Sequence, residues 1–280
     1  MIQPKPTLLP DLKKIIQLAC GSNHVLALAS TGAVYAWGSG QQNQLGRRIV
    51  ERNKTNGLTP TQFGLKGKKI TTIGCGSYHS FAIDANGTVY AWGLNSYGET
   101  GISKEIGDGT ESDVHHPAIV PELSSGKHGT VTHIEGGAHH SICVTSSGEC
   151  LVWGRMDGFQ SGMATASIPT ENLIYDSASK PRILCKPTVL PAIKDASHCA
   201  AGSDHCLAVS SSGRVYSWGF NATYQCGQGN DDDVEEATQI DNTAVRGKKI
   251  VFAGAGGQFS VIAGLADAET EDTTMVNGVH

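Results

Sequence analysis

Short apolar stretches separated by turn residues recur along this chain. In the first copy, large and small apolar residues alternate from Val25 to Leu28, and a second apolar stretch covers Ala33 to Trp37. Ser30-Thr31-Gly32 lie between the two stretches. Because glycine adopts positive φ angles easily, a turn that ends in glycine is typical of a β-hairpin. The pattern therefore predicts a strand, a tight turn and a return strand.

The hairpin recurs at constant spacing in four copies. Each copy opens on Gly-x-x-His and closes on Trp-Gly, with thirteen residues from histidine to tryptophan. The histidines are His24, His79, His140 and His205, and the tryptophans are Trp37, Trp92, Trp153 and Trp218. A fifth opening, Gly256-Gly257-Gln258-Phe259, carries phenylalanine in place of histidine. Such self-similarity identifies a repeat protein.

Repeats of this kind predict an all-β fold in which each unit forms one blade of a β-propeller. We expect residues 1–264 to form four four-stranded blades and part of a fifth, with cores at about 15–46, 70–101, 131–162, 197–227 and 249–264. The insertions between the cores are predicted to be loops on one rim: Arg47 to Gly64, Ile102 to His133, Asp157 to Ala196 and Gln228 to Lys249. The acidic and polar tail, 265–280, is expected to be disordered.

The repeated residues and the varying residues of the unit indicate different roles. The four histidines are interpreted as structural, each making a hydrogen bond inside its own blade, and the tryptophans as packing between blades. Cys20 and Cys75 precede the repeat glycine and are interpreted as small buried residues. The residue before each histidine changes while its surroundings stay fixed: Asn23, Tyr78, His139, Asp204 and Gln258. A varying polar position on the same rim of successive blades is a candidate binding surface.

Composition and motifs narrow the function classes. The net charge of −5 argues against a general nucleic-acid-binding face. No apolar run reaches the roughly 18 residues that a membrane span requires. The sequence lacks the phosphate-binding loop motif, the nucleophile elbow and the zinc-binding helix motif. We therefore expect no metal, no cofactor, no membrane partner, no small-molecule substrate and no covalent chemistry.

Two longer motifs carry a resemblance to a known family. The segments Trp37-Gly38-Ser39-Gly40-Gln41-Gln42-Asn43-Gln44-Leu45-Gly46-Arg47 and Gly254-Ala255-Gly256-Gly257-Gln258-Phe259-Ser260-Val261 are similar to the C-terminal half of the fungal Ran exchange factors. With the repeat, they resemble the regulator of chromosome condensation family, whose propellers have seven blades. The resemblance implies a C-terminal portion with about four blades and part of a fifth, without the family's β-wedge and basic N-terminal tail.

The resemblance also implies a function. It suggests a guanine-nucleotide exchange factor for the small GTPase Ran, or the C-terminal fragment of one, acting in nucleocytoplasmic transport and chromatin binding. A nuclear location follows, with the cytoplasm as the alternative. A propeller scaffold for protein–protein interaction, without exchange activity, is the other interpretation of the same repeats.

The same resemblance assigns candidate partner-binding residues. His139 matches a functional histidine of the family, and Arg47 matches a basic residue that contacts Ran. Asn23 stands where the family has an aspartate. The remaining candidates at this position are Tyr78, Asp204 and Gln258. A basic cluster on the first insertion, Arg48, Arg52 and Lys54, is the candidate contact with a nucleosome or its histones.

Overall fold

The computed structural model describes residues 5–9, 11–49, 57–102 and 113–265. These residues form nineteen β-strands, with one short helix, α1 (Pro121–Ser124), and two 3₁₀ turns, Thr165–Ser167 and Thr170–Asn172. All the strand pairs are antiparallel. The predicted fold class, an all-β propeller with four blades and the start of a fifth, is confirmed.

The first two blades are four-stranded sheets. Blade 1 consists of β1 (Ile15–Cys20), β2 (His24–Ala29), β3 (Val34–Gly38) and β4 (Thr61–Gln62). Blade 2 consists of β5 (Ile70–Cys75), β6 (His79–Asp84), β7 (Val89–Gly93) and β8 (Val114–Ile119). Histidine faces glycine in the same register in both blades, with His24 opposite Gly38 and His79 opposite Gly93.

Blade 3 departs from the predicted four strands. It consists of β9 (Val131–Gly136), β10 (His140–Thr145), β11 (Cys150–Arg155), β12 (Leu173–Tyr175) and β13 (Pro181–Val189), in the order β12-β13-β11-β10-β9. The extra strand arises because the insertion returns on itself and pairs β12 with the long strand β13. Blade 4 consists of β14 (Ala196–Ala201), β15 (His205–Ser210), β16 (Val215–Gly219) and β17 (Val234–Gln239), and β18 (Ile250–Ala255) and β19 (Ser260–Gly264) begin the fifth.

The prediction that the insertions are loops is wrong for part of each one. Every insertion contributes the strand that pairs with the third strand of its blade, namely β4, β8, β13 or β17. An unpaired edge on the third strand leaves backbone donors and acceptors open, so pairing with a further strand is favoured. Because the strands alternate in direction, the loop after the third strand lies at the same end as the Gly-x-x-His loop. Both loops therefore build one rim.

The hydrophobic core lies between successive blades. One cluster joins Leu26 and Leu28 of blade 1 to Ile73 and Trp92 of blade 2, and similar clusters follow at the later interfaces. The first strands of the blades contact one another in order, β1 with β5, β5 with β9, β9 with β14 and β14 with β18. Each blade thus covers the apolar face of its neighbour.

The repeated histidine bonds to the next blade, so the prediction of a bond inside its own blade is wrong. His24 Nε2 lies 2.8 Å from Ser80 Oγ, and Ser80 Oγ donates to the carbonyl of Gln44 at 3.0 Å. Trp92 Nε1 donates to the same carbonyl at 2.9 Å. Since the serine hydroxyl gives its proton to the carbonyl, the imidazole donates from Nε2. We call this arrangement the histidine relay.

The bond from histidine to the next blade occurs at all four blade boundaries, and the tryptophan donor occurs at the first three. His79 bonds to Ser141 and His205 to Ser260, and these serines donate to the carbonyls of Glu99 and Gln225. At the third boundary, a thiol replaces the hydroxyl, and His140 Nε2 lies 3.1 Å from Cys206 Sγ. The constant spacing of histidine and tryptophan inside a blade follows from the hairpin, since the residue after each histidine pairs with the tryptophan of the same blade.

The faces at the two ends of the described chain differ from the inner interfaces. Leu18 is 61% exposed, whereas Ile73, its counterpart in blade 2, is 2% exposed. Cys20 is exposed and Cys75 buried, so the prediction of two buried cysteines holds only for Cys75. All four tryptophans occupy the same register, but only Trp37 is half-buried. The difference arises because no described blade packs in front of blade 1.

Candidate functional site

The five varying positions lie on equivalent loops at one rim. Four of them directly precede the second strand of their blade, and Gln258 lies two residues before β19. The side chains at the three central positions, Tyr78, His139 and Asp204, are half-buried. Those at the two outer positions, Asn23 and Gln258, are exposed. The central three contact residues of neighbouring blades, so they form the best-defined part of the rim.

His139 is held between an acidic group and two aromatic rings. Its Nδ1 lies 3.2 Å from Oε1 of Glu99, whose side chain is fully buried, while the histidine side chain is 27% exposed. The ring centroid lies 4.9 Å from that of Tyr97 and 6.3 Å from that of Tyr78. Within the described chain, Nε2 of His139 has no hydrogen-bond partner. One edge of the imidazole is fixed and the other faces the rim.

Two arginines flank Tyr97 next to His139. Arg182 donates from Nη2 to the Tyr97 hydroxyl at 2.7 Å, and its guanidinium lies 5.0 Å from the ring centroid. Arg155 lies 5.6 Å from the same centroid. A guanidinium over an aromatic face is attracted by the ring quadrupole. The tyrosine thereby ties β13 of the blade-3 insertion to the rim of blade 2.

Arg155 also connects the site to Asp204 in blade 4. Its Nη1 lies 3.9 Å from Asp204 Oδ1, and its Nε donates to Asp157. Burial alone lowers the pKa of Arg155, but the Asp157 carboxylate, Tyr97 and Asp204 outweigh burial and raise it. Gln160 Nε2 donates to Asp204 Oδ1 at 3.0 Å. We call Tyr78, Tyr97, Glu99, His139, Arg155, Arg182 and Asp204 the rim cluster.

The neighbouring histidine of the repeat has a different environment. His140 is 1% exposed, and burial lowers its pKa to about 4. Burial likewise lowers the pKa of His24 and of His205 to about 4, and that of His79 well below its usual value. These imidazoles are neutral and buried, and they hold neighbouring blades together rather than forming part of the rim surface.

The remaining candidate residues lie apart from the rim cluster or outside the described residues. Arg47 is half-buried and donates from Nη2 to the Ala36 carbonyl in β3 at 3.4 Å, and burial lowers its pKa. Asn23 belongs to blade 1, and Gln258 to the start of the fifth blade. Arg48 is exposed. Arg52 and Lys54 lie outside the described residues, as does the tail after Leu265.

Sequence reasoning missed four members of the rim cluster. Glu99 had a usable signal, because glutamine occupies the same place in the other units, at Gln44, Gln160 and Gln225. Tyr97, Arg155 and Arg182 had none, since each is specific to one unit. Among the described residues, no group of histidine, cysteine and carboxylate side chains is arranged to hold a metal. None of the described helices is long and apolar enough to cross a membrane.

Comparison with known proteins identifies relatives over almost the whole chain. A family model described as the RCC1-like domain matches residues 1–262. Protein Pim1 of Schizosaccharomyces pombe is 44% identical over 96% of this chain and 48% of its own length. The guanine nucleotide exchange factor SRM1 of Saccharomyces cerevisiae is 38% identical over 96% of this chain and 55% of its own length. The chain therefore spans about half the length of these relatives.

A solved structure extends the likeness to three dimensions. Prp20p of Saccharomyces cerevisiae, whose crystal structure was described together with its binding to Gsp1p and histones, is 38% identical and superposes with a TM-score of 0.87. The match covers 96% of this chain and 60% of that one. Since the family model and the repeat geometry cover nearly all residues, the chain belongs to the RCC1-like domain family.

Proposed function

We propose that this chain is part of a guanine-nucleotide exchange factor for a Ran-type small GTPase, and that the rim cluster contacts the GTPase. The proposal is supported by the relatives: SRM1 is named as an exchange factor, and Prp20p was described with its binding to Gsp1p. Both relatives are 38% identical to this chain in an alignment that covers 96% of it.

The environment of His139 is the observation that carries the proposal. Its side chain is 27% exposed, its Nδ1 is fixed by a buried carboxylate, and its Nε2 faces the rim. An exposed residue that is held in place loses little conformational freedom on binding, which favours affinity. Tyr97 and two arginines beside it provide the aromatic and guanidinium groups that dominate many protein interfaces.

Exchange by such a surface requires no covalent step. A protein that binds the nucleotide-free GTPase more tightly than the loaded form lowers the affinity of the GTPase for nucleotide, and nucleotide reciprocally weakens the complex. We therefore assign the chain a regulatory role, without enzyme chemistry, a cofactor or a metal. Arg47, Asn23 and Gln258 extend the proposed contact surface along the rim on either side of the rim cluster.

The adjacent histidines of blade 3 test this proposal. We expect His139→Ala to weaken binding of the chain to nucleotide-free GTPase by about tenfold or more, which corresponds to about 1.4 kcal/mol. We expect His140→Ala to lower the free energy of unfolding by about 2–4 kcal/mol, since it empties a buried site and breaks the histidine relay. Titration with nucleotide-free and GDP-loaded GTPase, and chemical unfolding, measure the two effects.

The outcome also decides between exchange and a scaffold function. A chain that binds the nucleotide-free GTPase more tightly than the GDP form behaves as an exchange factor. Replacement of the corresponding part of SRM1 by this chain then provides a full-length protein in which GDP release is measured. Equal affinity for both forms, or no binding to either, contradicts exchange and leaves a scaffold for other proteins.

We also propose a second contact, with a nucleosome or its histones, and therefore a nuclear location. Prp20p was described with histone binding, and Arg48 is exposed at the start of the first insertion. We expect Arg48→Ala, combined with alanine at Arg52 and Lys54, to weaken nucleosome binding at low salt, where charge attraction is strongest. The control is a triple alanine variant that removes the same number of positive charges at the opposite end of blade 1, at Lys66, Lys68 and Lys69. Equal loss in both variants contradicts a local contact.

A further inference from the structure

One buried loop residue makes the same backbone contact in every blade. A side-chain oxygen of Gln44, Glu99, Gln160 or Gln225 accepts a hydrogen bond from the backbone N–H two residues earlier, at distances of 2.9, 2.7, 2.9 and 2.9 Å. All four side chains are at most 4% exposed. Three of them are glutamine, and only blade 2 carries glutamate. We call these four side chains the loop anchors.

The second polar atom of two loop anchors bonds to the varying rim residue of the next blade. Gln160 uses its Nε2 to donate to Asp204 Oδ1 at 3.0 Å. Glu99 uses Oε1, which lies 3.2 Å from His139 Nδ1. The chemistry matches in both pairs, since an amide donor faces a carboxylate and a carboxylate faces an imidazole nitrogen. In these two pairs, the anchor and the rim residue are therefore chemically matched.

We propose that the loop anchor positions the rim side chain of the following blade, and that Glu99 holds His139 as the tautomer protonated at Nδ1. A carboxylate has no proton to donate, so the imidazole bonds to it through an Nδ1–H, and each of its two neutral tautomers carries only one N–H. Nε2 then carries a lone pair toward the rim. The neighbouring His140 has the opposite arrangement, because its Nε2 is turned inward to Cys206.

This inference rests on the proposed function and adds the chemistry of the contact. With a lone pair on Nε2, His139 accepts a hydrogen bond, so the group it meets on the GTPase is an N–H or O–H donor. Glu99 is fully buried and acts through His139. Glu99 is therefore a positioning residue for the contact.

The substitution Glu99→Gln tests the tautomer in the free protein. In the three glutamine anchors, Oε1 accepts the backbone N–H, which leaves Nε2 as the outward atom. Glutamine at residue 99 thus directs an N–H at Nδ1 of His139, and the imidazole must move its proton to Nε2. Because glutamine fits the other three loops, the melting temperature should change by less than about 3 °C, the equivalent of about 1 kcal/mol.

Long-range ¹H–¹⁵N NMR spectra of the imidazole nitrogens of the whole chain report the tautomer directly. We expect the Nδ1–H form of His139 in the native protein and the Nε2–H form in the Glu99→Gln variant, with His139→Ala identifying the signals. The matched control is Gln225→Glu, which changes the anchor before the fifth blade and should leave His139 unaltered. A native Nε2–H tautomer, or an unchanged tautomer in Glu99→Gln, overturns the proposal.

A pair of substitutions that copies blade 4 provides a second test. His139→Asp places a carboxylate against that of Glu99, so we expect a lower melting temperature. Combining it with Glu99→Gln recreates the pairing of Gln160 with Asp204 and should restore most of the loss. If the double variant melts no higher than His139→Asp alone, the anchor does not choose its rim partner, and the proposal is wrong.

Binding to the GTPase separates this inference from the proposed function. We expect Glu99→Gln to weaken binding of nucleotide-free GTPase by about tenfold, the effect of about one hydrogen bond turned from acceptor to donor. Gln225→Glu should leave the affinity within about twofold, well under the 1.4 kcal/mol of a tenfold change. If the tautomer reverses and the affinity stays the same, Glu99 still positions His139, but the assignment of His139 to the GTPase contact falls. If the tautomer stays the same, the positioning role itself falls.

Discussion

At the scale of single residues, Cys206 distinguishes one blade boundary from the others. Ser80, Ser141 and Ser260 accept from a histidine and donate to a carbonyl, whereas the Cys206 thiol faces His140 and the Gln160 carbonyl receives only Trp218. We expect Cys206→Ser to raise the free energy of unfolding by about 0.5–1.5 kcal/mol, since a thiol is a poor hydrogen-bond partner. Denaturant midpoints at constant slope measure the change.

The reverse substitution is the control for the thiol. Ser141→Cys in blade 3 should lower stability by a similar amount, since it removes the bond to the Glu99 carbonyl. If both substitutions shift stability in the same direction, the histidine relay is not the cause, and the size of the sulfur atom is.

Acid should destabilise the molecule through the buried histidines. Their pKa values near 4 in the fold, for His24, His140 and His205, lie below the ordinary 6.5. A lowered histidine pKa means that the unfolded chain binds protons first, so stability is full above 6.5 and falls as the pH drops toward 4. We expect each buried imidazole to lower the free energy of unfolding by about 1–2 kcal/mol at a pH of about 5, relative to neutral pH.

Comparison of unfolding at neutral and acid pH checks this dependence. His205→Phe removes one of the titrating rings, and Phe259 occupies the same position in the fifth repeat. The variant should lose less stability between neutral and acid pH than the native chain, although its stability at neutral pH is lower. An equal loss in both proteins would mean that groups other than these histidines cause the acid sensitivity.

At the scale of elements, the sequence predicted four strands in a blade and the places of the hairpins, but not the places of the outer strands. The second and third strands, such as β6 and β7, are buried throughout and carry a clear apolar signal. By contrast, β17 (Val234–Gln239) has the sequence VEEATQ and is exposed at four of its six residues. An edge strand held by backbone pairing needs little apolar surface, so its sequence resembles a loop.

The Gly-x-x-His motif also has its explanation at this scale. A Cβ atom on Gly76 would overlap the imidazole of His79, which lies directly on the glycine backbone. We expect Gly76→Ala to lower the free energy of unfolding by about 1–3 kcal/mol, the usual cost of overpacking. Gly257→Ala is the matched control, since its Cβ would meet only Ser203 Oγ, at 3.9 Å, and it should be nearly neutral. Comparable losses in both variants would show that loop flexibility rather than the imidazole contact requires glycine.

At the scale of the whole molecule, the two terminal faces expose apolar side chains. Ile16 and Leu18 of β1 are 65% and 61% exposed, and Phe252 and Val261 of the fifth blade are 46% and 52% exposed. Contiguous apolar patches promote association. We expect the chain to self-associate as its concentration rises, and Leu18→Ser combined with Val261→Ser to reduce this association in sedimentation experiments.

An isolated apolar residue serves as the control for self-association. Leu58 is 70% exposed but belongs to none of the described strands, so Leu58→Ser should leave sedimentation unchanged. If the native chain and the variant with serine at Leu18 and Val261 are both monomeric at every concentration, the terminal faces do not associate and the prediction is wrong.

The site was predictable only where it follows the repeat. The loop position of Tyr78, His139 and Asp204 could be found because the surrounding residues are constant. Arg182 reaches the rim from β13, inside an insertion whose extra strand β12 no other described blade has, and its contact with Tyr97 depends on how that insertion folds. Tertiary contacts between unrelated loops leave no periodic signal in a sequence.

The direction of the histidine relay has a consequence for how the molecule assembles. The carbonyls of Gln44, Glu99 and Gln160 receive their tryptophan donors from the following blade. The buried carbonyl of each of these loops therefore gains its hydrogen-bond donor only after the next blade has been synthesised. In repeat proteins, stability is a sum of units and nearest-neighbour interfaces. We therefore expect each blade to become rigid only when the following blade has folded against it, so that the blades fold in the order of their synthesis.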